Sequence, residues 1–177
     1  GNLDGYCNDP KSAPNLFKLG RPTSKMAYKN TMSLHHMLLL RGFVWLTLAS
    51  GARTGEIRPL TDANIDEESM TRTIFKMKVT CHEVTSNLPP FIQERISPMI
   101  ASIKQHAPKA ELLFAENENK KGKGTFDPRL LQELVKGSMI ASNIPPNAAG
   151  GQYRLHKLRS VWARWIDENG GSLESTT

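Results

Sequence analysis

Cysteine is scarce in this 177-residue chain: Cys7 and Cys81 are its two copies, far apart and outside any CxxC pair. That excludes a disulfide framework, spells no zinc motif, and suits a reducing compartment. Long hydrophobic runs are missing as well. The longest apolar stretch is interrupted by Arg41 and Gly42, short of a membrane span, and no charged-then-apolar leader opens the chain. The expectation is a soluble, cytoplasmic protein with no membrane partner. There is no internal repeat and no glycine-rich loop of the phosphate-cradling kind. His35 and His36 adjoin each other on a helix and so cannot face one site together. No carboxylate or cysteine at ligand spacing joins them, so no metal and no cofactor is expected.

What the chain does have is positive charge. It carries 23 Lys and Arg against 17 Asp and Glu, a net charge of +6, and a pI near 9.4. Such an excess favours a polyanionic partner over an acidic small substrate. Hydrophobic residues make up 38% of the sequence, enough for one good core and too little for a second.

Residues 1–22 place Gly, Asn, Asp and Pro at close intervals without an apolar period, so residues 1–29 read as a linker or N-terminal arm and 30–177 as the domain. Residues 31–49 repeat apolar side chains at helical spacing, Met32, Leu34, Leu38, Leu39, Phe43, Leu46 and Ala49. Leu40, Val44 and Trp45 widen that stripe to a helix buried on most sides and capped by Gly51. Residues 71–79 alternate as a strand, and 91–96 is the extended piece expected to pair with it. Ser97 followed by Pro98 predicts a helix start, running to about His106. Asp127 with Pro128 predicts another, over 129–142. A last helix is expected over 155–168. The class is mainly α with a small antiparallel β-sheet, α+β.

Two stretches stand out. The first is SGARTGEIRPL, residues 50–60, which sets Arg53 and Glu56 at a tight break directly after the apolar helix. The second is RLHKLRSVWARWIDENGG, residues 154–171. Its Leu155, Leu158, Trp162, Trp165 and Ile166 form a core-facing stripe, and His156 and Arg159 project together at its margin. A surface pair, or a packing histidine, is the ordinary reading of such a couple. The polar run ENENKKGKG, residues 116–124, reads either as a solvated loop or, through Lys120, Lys121 and Lys123, as a contact to a nucleic-acid backbone.

Over residues 31–177 the chain resembles the tyrosine recombinase and integrase family. Gly51-Ala52-Arg53-Thr54-Gly55-Glu56 matches that family's Gly-x-Arg-x-(Gly/Ser)-Glu box at the end of a long apolar helix. Leu60 to Asp66 matches a Leu-x-x-x-Asp-Ile-Asp-like stretch leading into a small sheet. A sheet lysine, the junction Ile96-Ser97-Pro98, the segment Leu112-Leu113-Phe114 and His156-Lys157-Leu158-Arg159 follow in the family's order.

The resemblance implies a catalytic domain that cleaves and rejoins double-stranded DNA through a 3′-phosphotyrosyl intermediate, in a homo-oligomer on DNA, a tetrameric synapse, without a cofactor. Arg53 and Arg159 would clamp the scissile phosphate, a task for which two planar guanidinium forks are chemically apt. A sheet lysine would protonate the leaving 5′ oxygen. Lys78 is the first choice and Lys76 the second, and alternation puts both on one strand face. His156 would bond the phosphate or assist proton transfer, and Glu56 would support the arginine. Arg58, Arg154, Lys157, Lys76, Lys120, Lys121 and Lys123 are the candidate DNA contacts. The family's nucleophilic tyrosine lies beyond the helix carrying His-x-x-Arg, whereas Tyr6, Tyr28 and Tyr153 all precede His156. The expectation is therefore a domain cut short before its nucleophile and inactive alone. A type IB topoisomerase, which shares the catalytic set, and a DNA-binding module without the nucleophile are the alternatives.

Overall fold

The computed structural model of the chain describes residues 2–21, 32–76, 80–119, 124–146 and 156–169, and for 74–76, 80, 81 and 156 it describes the backbone. Among these residues lie seven α-helices and one antiparallel pair of strands: α1 (Asn2–Asn8), α2 (Leu16–Gly20), α3 (Leu34–Ser50), α4 (Thr54–Ile57), β1 (Ser69–Lys76), β2 (Thr80–Asn87), α5 (Pro90–His106), α6 (Pro128–Ala141) and α7 (His156–Glu168). Single 3-10 turns at Pro10–Ser12 and Asp62–Asn64 interrupt the loops. The chain is thus mainly helical with a small antiparallel sheet, as its sequence patterning implies.

The core is organised around α3. Four successive residues, Met37 to Leu40, are buried, as are Phe43 and Leu46, and an element with no polar face must be enclosed. Helices α1, α5, α6 and α7 pack against it. Ser33 caps its start. The Ser33 hydroxyl accepts from the His36 amide at 3.3 Å, and His36 Nδ1 accepts from the Ser33 amide at 3.2 Å, a reciprocal capping box with a histidine in the usual Glu position. A ring that accepts at Nδ1 is neutral, and burial, with the nearby His35, pushes the His36 pKa down to about 4.

The N-terminal residues are not an unpacked arm. Leu16 and Phe17 of α2 are fully buried, and α2 lies against α6. The approach is so close that a side chain at Gly137 would meet the Leu16 carbonyl. The apolar pair was too short for a periodic signal, and its burial is decided by α6 rather than by local pattern.

The sheet and the helix after it also differ from expectation. β1 pairs with β2, in the register Ser69↔Asn87 to Lys76↔Thr80, while residues 91–96 belong to α5. Pro90 occupies the first helical position, where its missing N–H costs nothing. Ile92, Ile96, Met99 and Ile103 then recur at spacings of four, three and four and are all buried. That stripe outweighs Pro98, which sits inside the helix and removes one backbone bond. The Ser102 hydroxyl donates to the Pro98 carbonyl at 2.9 Å. Entry to β1 is fixed by Asp66, whose carboxylate accepts from the Glu68 and Ser69 amides at 2.8 and 2.6 Å and from the Ser69 hydroxyl at 2.9 Å. Those bonds hold its pKa below the usual carboxylate range.

α3 ends as its sequence predicts. Gly51 adopts the left-handed conformation, φ 63°, ψ 13°, and its amide closes the last turn on the Thr47 carbonyl at 2.8 Å. The conformation favours glycine, and so does the neighbourhood, since a Cβ at Gly51 would collide with the Trp162 ring of α7. Replacing Gly51 with alanine should therefore cost more than the backbone strain alone, about 2–4 kcal/mol in urea unfolding. The added Trp162→Ala change should recover part of that loss, and a cost below 1 kcal/mol for Gly51→Ala would show that the cap and ring are not coupled.

Candidate functional site

Two residues beyond the cap, Arg53 is the N-cap of α4. Its backbone is extended, φ −77°, ψ 156°, and its amide donates to Glu56 Oε2 at 2.9 Å. The carboxylate three residues on thus caps the turn. The same carboxylate meets two guanidiniums. Arg53 Nη1 lies 3.5 Å from Glu56 Oε1, and Arg72 Nε of β1 donates to Glu56 Oε2 at 3.2 Å. Glu56 and Arg72 are buried, whereas the Arg53 side chain is 61% exposed. One carboxylate therefore holds a buried and an open arginine together. Arg72 is secured from the other side by the Ser86 hydroxyl of β2, which accepts from its Nη1 at 2.6 Å.

Arg159 arrives from α7. Its Nε donates to the Gly51 carbonyl at 2.5 Å, so the left-handed cap is the anchor for this guanidinium as well as the seat of Trp162. Desolvation lowers the Arg159 pKa, and the Arg53 charge lowers it next, with Arg72 adding and Glu56 opposing. The group stays charged at any ordinary pH. The bond to Gly51, two residues before Arg53, brings Arg159 to the neighbourhood in which Glu56 meets Arg53 and Arg72, three guanidiniums around one carboxylate. The two uncompensated charges make this an anion-attracting surface.

The other expected site residues distribute as follows. His156 is the first residue of α7, three positions before Arg159. Lys76 ends β1, opposite Thr80. Lys78, Arg154, Lys120, Lys121 and Lys123, together with Tyr28 and Tyr153, lie outside the described residues. Arg58 is engaged with the fold: its Nε donates to the Phe126 carbonyl at 2.9 Å and its Nη2 to the Thr125 hydroxyl at 2.5 Å. Lys157 is about 200° round the helix from Arg159 and lines a cleft of about 650 Å³ with Trp45, Leu48, Leu158 and Val161, away from the arginines. Tyr6 packs against the core from α1.

Arg72 is the residue that sequence reasoning missed. On β1 it shares a face with Met70, two positions before, which is fully buried. An arginine on the inward face of a strand is the signal that was available.

No family model and no curated protein matches the chain. Among solved structures it is similar to the crystal structure of a lambda integrase tetramer bound to a Holliday junction. The TM-score is 0.47 at 13% identity, over 91% of this chain and 42% of that one. The chain thus spans less than half of that neighbour's length. A likeness of this degree carries no inference about activity, which must come from the residues themselves. Among the described residues no helix is long and apolar enough to cross a membrane.

The buried pair has a measurable consequence. Glu56→Gln strands the Arg72 charge in the interior and should lose about 3 kcal/mol in urea unfolding at pH 7. Adding Arg72→Met to that variant should restore a large share of the loss, because the stranded charge is gone. Strictly additive costs would mean that the two side chains do not act as a pair.

Proposed function

We propose that this chain is the catalytic domain of a tyrosine-type site-specific DNA recombinase, in which Arg53 and Arg159 grip the scissile phosphate. The observation that carries the reading is that Arg159, 106 positions after Arg53 in sequence, donates to the Gly51 carbonyl two residues before Arg53, beside the Glu56 carboxylate that Arg53 and Arg72 share. The family resemblance of the two boxes that hold them supports it independently.

Chemically, attack of a tyrosine oxygen on a phosphodiester places negative charge on the non-bridging oxygens. Two preorganised guanidiniums stabilise that charge without moving. Glu56 and Arg72 are positioning residues: the carboxylate orients Arg53, and the buried arginine holds the carboxylate in place. The 5′ oxygen leaves as an alkoxide unless protonated. Lys78, or Lys76 two positions before it, is the proposed acid, and His156 the partner that bonds the phosphate or relays a proton. The 3′-phosphotyrosyl bond conserves the energy of the broken diester, and a free 5′ hydroxyl reverses the step. The partner is double-stranded DNA, held by a homo-oligomer that forms a tetrameric synapse.

The test uses the polypeptide encoded by the whole reading frame and a nicked DNA substrate that traps a covalent adduct. Arg53→Ala and Arg159→Ala should each reduce adduct formation by at least a hundredfold, while affinity for the same duplex falls less than tenfold, because many other cations share the backbone contacts. An adduct formed at the wild-type rate would contradict the clamp. A parallel loss of adduct and affinity would assign the arginines to binding alone.

A further inference from the structure

On the far end of α3 from Gly51, three potential ligands converge that have no part in the arginine cluster. His35 is the second residue of α3, His106 the last of α5, and Glu118 lies in the loop after Ala115. One donor atom from each lies within 4.8 Å of the other two. The His35 and His106 rings stack with centroids 5.7 Å apart at 29°. We propose that His35, His106 and Glu118 bind a divalent transition-metal ion of the zinc class, joining the start of α3, the end of α5 and the 115–118 loop.

Three observations support the site. His35 Nε2 lies 3.1 Å from the Ala115 carbonyl. A carbonyl can only accept, so this nitrogen carries the ring proton and Nδ1 is left with the lone pair. A backbone carbonyl that fixes the tautomer of a ligating histidine is the usual outer support of such centres. Next, the Nε2 atom of His106 is buried without a hydrogen-bond partner. A buried polar nitrogen in that condition calls for an explanation, and a metal ion supplies one. Finally, Glu118 offers a carboxylate oxygen, an anionic donor, beside the two imidazole rings.

The donor set, two imidazoles and a carboxylate, matches zinc sites that keep a fourth position for water. Metal bonds of ~2.1 Å in a tetrahedron set ligand atoms ~3.4 Å apart. Side-chain rotations that draw the three donors together by roughly an ångström would therefore complete the site. His106 also borders a cleft of about 390 Å³ lined by Leu34, Leu38, Arg41 and Gln105, which gives an ion a route from solvent. Sequence spacing could not disclose this set, because its members are separated by 71 and 12 positions and the adjacent His36 turns instead into the helix cap.

The test is titration of the EDTA-treated chain with Zn²⁺ alone, followed by calorimetry, and with Co²⁺, followed by visible absorption. One ion per chain should bind, and cobalt should give the intense visible bands of a four-coordinate N/O site. Glu118→Gln and His106→Gln should each weaken zinc binding at least tenfold, whereas His82→Gln, an exposed histidine of β2, should leave it unchanged. Circular dichroism checks that each variant folds. Should His106→Gln fail to do so, Glu118→Gln decides alone, since Glu118 lies in a loop. Absence of stoichiometric binding, or zinc affinity undiminished in either folded variant, overturns the proposal. Neither outcome bears on the recombinase reading, which involves none of these residues.

Discussion

The left-handed turn at Gly51 is the constraint on which the candidate site depends. Its amide ends α3, its missing side chain admits the Trp162 ring, and its carbonyl takes the Arg159 guanidinium. A single residue thereby fixes both the termination of the central helix and the seating of α7. Arg53 follows two positions later, so the distance between the two arginines is governed by a short rigid path and not by flexible loops. α3 is enclosed on most sides, and a rigidly buried helix makes a stable platform for groups that must be aimed within a fraction of an ångström.

A second layer of constraint comes from charge. Glu56 is buried with Arg72, an arrangement that is a poor source of stability because the desolvation of both ions offsets much of their attraction. Its value is geometric. The carboxylate satisfies the backbone of Arg53, meets its guanidinium and is itself held by Arg72, which Ser86 secures from β2. The small sheet thus contributes to both core and site: Met70 of β1 is buried in the core, and Arg72 on the same face reaches the Glu56 carboxylate. Like charges gathered around one carboxylate are tolerated where an anionic ligand completes the balance, and a DNA phosphate is the anion that the proposed reaction supplies.

Much of this was legible in the sequence, and for identifiable reasons. The enclosure of α3, the Gly51 cap and the Asp127–Pro128 start of α6 follow from local chemistry, in which spacing, a glycine and a proline carry the message. Arg53 and Arg159 were singled out by motifs that resemble a family's, and the structure sets both beside Gly51. What local pattern could not reveal was set at long range. Pro98 looks like a helix start until the stripe from Ile92 to Ile103 is seen to be buried along its whole length. Leu16 and Phe17 look like part of a loose arm until α6 is laid against them. Arg72 looks like one of many basic residues until Glu56 is found opposite. His35 and His106 are brought together by the crossing of α3 and α5, which neither helix encodes alone.

The central claim is that Arg53 and Arg159 act on one phosphorus. A crystal structure of this chain with vanadate bound tests it most directly. The account predicts an anion within hydrogen-bonding distance of both guanidiniums, with Arg159 still donating to the Gly51 carbonyl. An anion bound by one arginine alone, or bound elsewhere while the two guanidiniums face different surfaces, would contradict it.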